Sequence, residues 1–255
     1  MLSAKRKSDG QIATAYQSQK NEGPFICSKC GDAVILKTGK RTIGHFSHIS
    51  LKCRLAVGES ETHRYCKREI YEALLQTSGV TDVALERPLG SNRPDVSAYI
   101  NGTPVAIEVQ VSSLSLETIM RRTIDYHQKG IYVLWLLQWK PELDGGRYAP
   151  RHWEKWIHAA YFGRVYYWIQ GLEIVSYTFE PSLRSVPKTT WFAKDGRMMA
   201  GGGYTRRLKR SRRAVRGATL NLVKDFAPKE RFWWEGNGTK VPDAKLFTGN
   251  DSFRI

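Results

Sequence analysis

Asp95 and Glu108 are the residues whose types and spacing most directly imply chemistry. They bracket Asn101-Gly102, the strongest short-range signal for a two-residue β-hairpin turn, within a strand-forming stretch from Arg93 to Ser112. Pairing outward from the turn sets Ile100 opposite Thr103, Ala98 opposite Val105, Val96 opposite Ile107, and therefore Asp95 opposite Glu108. Pro104 falls opposite Tyr99 in a non-hydrogen-bonded pair, where its missing N–H is not needed. Two acids with Cβ atoms roughly 4.5 to 5.5 Å apart, flanked by Val96, Ile107 and Val109, cost energy unless a positive charge offsets them. A hard divalent cation, Mg²⁺ or Mn²⁺, is the simplest offset, because such ions take carboxylate oxygens together with water and phosphate.

Two further sets of side chains have ligand-like spacing. Glu59, His63 and Lys67 recur every fourth residue in a helical stretch ending at Leu75, so they share one face, which is either a solvated Glu-Lys ladder or a face turned toward the acid pair. Cys27, Cys30, His45 and His48 form a knuckle, a hairpin and a histidine pair, and two thiolates with two imidazoles match tetrahedral Zn²⁺. The two-residue gap between the histidines is short for a finger, so Cys53 can replace one of them as the fourth ligand. Too small to bury much surface, this module depends on its metal, and the zinc is read as structural.

The elements that must position these residues follow from periodicity. The helix over 59–75 precedes a strand over 80–86, a turn over 88–92 and the hairpin; a helix from about Ser115 through Gln128 follows, carrying Arg122 and Tyr126 one turn apart. The continuous apolar run from Ile131 to Leu137 suits a strand buried on both faces. The order is α-β-β-β-α-β, an α+β or α/β core. Residues 1–22 read as a polar leader with at most a strand near Ile12, 23–54 as the zinc module with strands at Ala33–Leu36 and Arg41–Ile43, 55–140 as the core, 141–200 as a C-terminal α/β extension, and 201–255 as a basic segment. In the extension, the periodicity predicts a helix over 151–162 and strands over 165–169 and 173–179, with Trp153, Trp156, Tyr166 and Trp168 as core. Gly201-Gly202-Gly203 reads as a flexible linker to a run in which Arg206, Arg207, Lys209, Arg210, Arg212, Arg213 and Arg216 occur without an acid. Such density requires a counter-charge, and phosphate supplies one.

Composition narrows the partner. Across 255 residues, 40 Lys and Arg stand against 24 Asp and Glu, a formal charge of +16 that steers polyanions onto the surface and makes nucleic acid, DNA first, the expected partner. No apolar run approaches the roughly 20 residues needed to span a bilayer, and the first residues lack the apolar stretch of a secretory signal, which points to the cytoplasm and away from a membrane. Four cysteines, two of them in a Cys-x-x-Cys pair, fit a reducing compartment and metal binding.

Taken in order, Cys27-x-x-Cys30 with His45-Phe46-Ser47-His48, Glu59-x-x-x-His63-x-x-x-Lys67, Arg93-Pro94-Asp95-Val96, Ala106-Ile107-Glu108-Val109-Gln110-Val111-Ser112, and Arg122-Thr123-x-x-Tyr126 followed by the Trp135 strand resemble the competence protein CoiA family over roughly residues 25 to 140. The resemblance implies a treble-clef-like or ribbon-like zinc module ahead of a PD-(D/E)xK nuclease core, the restriction-endonuclease-like fold, in proteins of DNA uptake, recombination and processing. It carries nothing for the C-terminal hundred or so residues. In that superfamily the residue two after the acid is usually Lys; here it is Gln110, as in the CoiA-like pattern. A neutral amide orients water but supplies no charge to a transition state, a role left to Lys67.

The expected reaction is metal-assisted phosphodiester hydrolysis. Asp95 and Glu108 hold the metal, Gln110 positions water, Glu59 adds a carboxylate, and His63 shuttles a proton or contacts phosphate. Arg122 and Tyr126 lock the site or touch phosphate. A catalytically silent module that holds DNA for a partner is the competing reading, and the acid pair argues against it because two acids repel a bound phosphate. A zinc-dependent RNA-associated factor fits the charge and leaves the acid pair unexplained.

Overall fold

The computed structural model describes residues 1–39, 42–50, 53, 59–236 and 238–250. Strands β1 (Ser3–Arg6), β2 (Ile12–Thr14), β3 (Phe25–Ile26), β4 (Ala33–Lys37) and β5 (His45–His48) form one antiparallel sheet in the order β2-β1-β3-β4-β5. Residues 1–22 are therefore not a leader outside the fold. Leu2 and Ala4 are fully buried, and Ala4, Phe25, Val34, Leu36 and Phe46 share a small core. The second strand of the knuckle hairpin is His45–His48 rather than Arg41–Ile43, whose first residue lies outside the described ones. The expected boundary at 54/55 lies outside them too.

The second sheet begins after helix α1 (Glu61–Leu75), with β6 (Val80–Leu85), β7 (Val96–Ile100), β8 (Thr103–Gln110), helix α2 (Leu116–Gln128) and β9 (Tyr132–Gln138). This is the expected α-β-β-β-α-β order. The hairpin register is also as expected: Ile100 pairs Thr103, Ala98 pairs Val105 and Val96 pairs Ile107, with Asn101 and Gly102 both at positive φ as the tight turn requires. β8 and β9 are parallel, which the crossover through α2 permits. β9 is apolar from Val133 to Leu137, where it is buried, and Trp135 at its centre has no exposed surface.

Beyond β9 come helix α3 (His152–Ala160), β10 (Val165–Gln170), β11 (Glu173–Val186), β12 (Thr189–Phe192), β13 (Met198–Gly201), β14 (Tyr204–Asn221), β15 (Phe226–Arg231), β16 (Trp234–Gly236), β17 (Thr239–Val241) and β18 (Ala244–Gly249). The sheet runs β14-β11-β10-β9-β8-β7-β6, with β18 also pairing β9 and β15. A division at residue 200 therefore does not describe this part of the chain. The basic run lies in β14, paired with β11 from Val186↔Tyr204 to Glu173↔Asn221; Gly201 ends β13, and Gly202 and Gly203 alone join it to β14, so the glycines are not a linker. Trp153, Trp156, Tyr166 and Trp168 are buried, as expected of core aromatics, whereas Phe232 and Trp233 are exposed. Among the described residues, no helix is long and apolar enough to cross a membrane.

Candidate active site

Helix α1 starts at Glu61, two residues later than the periodicity predicts, because Ser60 caps it: its Oγ accepts the His63 N–H at 3.2 Å. Glu59 precedes the cap, yet its carboxylate folds back onto the helix and takes both oxygens to Lys67 Nζ at 2.8 Å. One turn earlier, His63 Nε2 stands 3.1 Å from Asp95 Oδ2. The face shared by 59, 63 and 67 is thus turned toward the hairpin and is not a solvated ladder.

Asp95 lies just before β7, where its Oδ2 also accepts the Val109 N–H at 2.9 Å. Glu108, nearly buried in the middle of the sheet, turns its Oε1 to the Arg122 guanidinium and to the Tyr126 hydroxyl at 2.5 Å. The two acids of the hairpin are therefore offset on separate sides, Asp95 by His63 and Lys67 and Glu108 by Arg122. Arg122 and Tyr126, expected either to lock the site or to touch phosphate, are engaged in locking it. The donors that converge are Glu59, His63 and Asp95, whose ligand atoms lie within 4.8 Å of one another; Glu108 is not in that group, although sequence reasoning paired it with Asp95 as a metal ligand. Two carboxylates and an imidazole can hold a divalent metal ion.

Lys67 is completely buried and does not line the cleft. Its ammonium reaches Glu86 Oε1 at 2.6 Å and Asp95 Oδ1 at 3.5 Å as well as Glu59, so it holds carboxylates in place rather than facing a substrate. Glu86 is the residue sequence reasoning missed. It follows β6 directly, at φ 51°, a left-handed conformation costing a non-glycine residue about 1–3 kcal/mol, and its carboxylate is held by Lys67, by Arg93 and by the N–H groups of Leu2 and Ser3 at 3.0 and 3.1 Å. Glu86 stands beside Asp95 one step past Leu85↔Val96, its N–H donating to the Asp95 carbonyl at 3.1 Å, a pairing of two strands that the sequence alone does not fix.

Burial and charge set the protonation states. Burial alone raises the Asp95 carboxyl, but the charges of His63 and Lys67 and the hydrogen bonds it accepts outweigh that and hold it at about 2. Burial pushes Glu108 up to about 7, helped by Asp95 and opposed by Arg122 and the Tyr126 hydroxyl. For His63 burial lowers the pKa, yet Asp95 more than compensates and the net shift is upward. Glu86 is held far below the usual carboxylate range: burial acts the other way, and Lys67 and Arg93 prevail.

These groups open onto a cleft of about 620 Å³ lined by Glu59, His63, Arg93, Asp95, Glu108 and Gln110 among others. The Gln110 amide donates to the Ser112 carbonyl, which fixes its orientation at the cleft wall. In the N-terminal sheet, Cys27, Cys30, His48 and Cys53 bring their donor atoms within 4.8 Å of one another. His45 is not among them; its Nδ1 lies 2.9 Å from the Ile43 carbonyl oxygen. Along a strand, residues three apart face opposite sides, so His45 and His48 of β5 cannot both meet the knuckle, and Cys53 takes the fourth place. Three thiols and an imidazole are the donor types that suit zinc.

The comparisons with known proteins agree with this layout. Residues 9–56 match the N-terminal domain of competence protein CoiA, and residues 59–147 match its nuclease-like domain. The chain belongs to the CoiA-like family. Competence protein CoiA of Bacillus subtilis (strain 168) is 31% identical over 128 residues, an alignment that spans 48% of this chain and 34% of that protein. The cluster of three cysteines and a histidine lies within the CoiA N-terminal match, and every residue of the acidic cleft lies within the nuclease-like match. No solved structure matches this CoiA-like chain.

Proposed function

We propose that the chain is a Mg²⁺- or Mn²⁺-dependent nuclease hydrolysing phosphodiester bonds of DNA at a PD-(D/E)xK-type site, with a structural zinc ion held by Cys27, Cys30, His48 and Cys53. The observation that carries this reading is the convergence of Glu59, His63 and Asp95 in a cleft that Glu108 and Gln110 also line. The α1-β6-β7-β8-α2-β9 order supports the restriction-endonuclease-like assignment. A divalent cation bound there supplies Lewis acidity toward a phosphoryl oxygen and lowers the pKa of a bound water.

The chain's own groups do the remainder. Lys67 holds Glu59 in place and, with His63, favours the ionised form of Asp95. His63, whose proton is favoured by Asp95, is placed to move a proton at Nε2. Arg93 and Arg122 line the cleft but are held by Glu86 and Glu108, so it is the +16 charge with the β14 basic run that favours a polyanion. The name of the matched family, a competence protein with a nuclease-like domain, supports a role in DNA uptake.

A module that holds DNA without cutting it is the second reading. It is favoured by the ion pair of Arg122 with Glu108 and by Gln110 standing where the general motif has Lys. Incubating the purified protein with single- and double-stranded DNA in Mg²⁺, Mn²⁺ or EDTA, beside Asp95→Ala and Glu108→Ala, separates the two. Expected is metal-dependent cleavage that each substitution lowers by at least about 100-fold, the upper end of what even outer ligands cost. Cleavage untouched by both would place the site elsewhere; salt-sensitive binding with no cleavage would establish the holding module.

A further inference from the structure

A second cavity, of about 790 Å³, lies between α3, β14 and the chain around Trp234, outside the residues matched to either CoiA domain. Lys155, Arg207, Lys209, Arg212 and Arg231 line it, and no carboxylate does. Among the described residues none of these five forms an ion pair, although other cations of the same region do: Arg213 pairs with Glu180 and Arg216 with Asp144. Arg231 is the sharpest case. Its Nε is buried without a hydrogen-bond partner, and burial pushes its guanidinium below the ordinary value with no acid to restore it. His158, on the same wall, is driven down to about 4 by burial and by the Arg212 charge, so it stays neutral and accepts the Phe179 N–H at 3.2 Å.

Five cations around one cavity repel one another, and a bound anion is the natural offset. The remainder of the lining identifies the kind of anion. Arg231 lies over the Phe162 ring at 4.5 Å and the Trp234 ring at 5.1 Å, and Phe179 adds a third aromatic group. Layered guanidinium and aromatic surfaces accept a flat base, and the surrounding cations accept its phosphate. The cavity is far larger than an inorganic anion requires and lies within the range of small-molecule sites.

We propose that this cavity is a nucleotide-binding site, distinct from the acidic cleft, that takes a nucleotide unit through its phosphate and base. The unit comes either from a single strand or from a free mononucleotide. A labelled oligothymidylate of about 12 nucleotides, a length within known single-strand site sizes, and dTMP are titrated in parallel with EDTA present, so that binding is read independently of cleavage. Arg231→Gln and the exposed pair Arg207→Gln/Lys209→Gln are expected to weaken binding by about tenfold or more. Arg184→Gln/Lys188→Gln, which removes the same charge from β11 and the residues just after it without touching the cavity, should cost less than about threefold. Loss confined to the oligonucleotide assigns the site to a strand, and loss seen equally with dTMP assigns it to mononucleotides. Equal losses in the two double variants, or no loss in either cavity variant, would overturn the site. The exposed pair keeps the test decisive if Arg231→Gln fails to fold.

Discussion

Lys67 Nζ lies 2.6 Å from Glu86 Oε1, a contact between two buried charges that ties helix α1 to the end of β6 directly behind Asp95. Through it the acids of the cleft share one buried cation: Lys67 also reaches Glu59 at 2.8 Å and Asp95 at 3.5 Å. The strained backbone at Glu86 and its hydrogen bonds to Leu2 and Ser3 extend that anchor to the N-terminal strand.

Breaking the pair from one side leaves an uncompensated buried charge, which typically costs about 3–5 kcal/mol. Lys67→Met is therefore expected to lower unfolding stability in urea at neutral pH by that order, and a change below about 0.5 kcal/mol, the scale of an ordinary surface substitution, would contradict the arrangement. The pH dependence has a definite sign. Because Lys67 and Arg93 depress the folded-state pKa of Glu86 against the effect of burial, its contribution is present above the unfolded value of 4.5 and is lost as pH falls toward the depressed folded one. Urea midpoints between pH 5 and 3 should fall more steeply in the native protein than in Glu86→Gln, which starts lower and runs flatter.

The fourth thiol-sheet donor can be checked by metal content. Cys53→Ser should lose most of its bound zinc by elemental analysis and destabilise the N-terminal sheet, since binding energy there is folding energy. His45→Ala should retain the metal, because its ring faces the Ile43 carbonyl instead of the cysteines. The reverse outcome would restore the histidine pair as ligands.

Tyr126 offers a test of how Glu108 is tuned. Burial raises the Glu108 carboxyl to about 7, and the Tyr126 hydroxyl, donating to Oε1 at 2.5 Å, holds it lower than burial alone would. Removing that donor disfavours the carboxylate. In Tyr126→Phe the acidic limb of the pH–cleavage profile should move to higher pH with the plateau rate above it largely kept. A limb that stays in place would show that Glu108 does not control it.

What the sequence determined by itself was local. The Asn101-Gly102 turn fixes the hairpin register two residues at a time, so the Val96–Ile107 pairing, and with it Asp95 beside the Glu108 strand, was legible from the turn outward. The apolar run of β9 and the helical spacing of 63 and 67 were legible for the same reason, since each depends on neighbours within a few residues, whereas Glu59 joins them from before the helix cap. What only the tertiary structure decided depended on distant segments meeting. Glu86 became a site residue because Leu2 and Ser3 at the start of β1, more than 80 residues away, supply two N–H groups that make a buried carboxylate affordable. His45 yielded to Cys53 because strand alternation turns the two histidines to opposite faces, and the extent of that strand is set by pairing with β4. The basic run, dense enough in like charge to read as a linker-tethered segment in need of a counter-charge, is a strand because β11 satisfies its backbone while alternation spreads its cations over two faces.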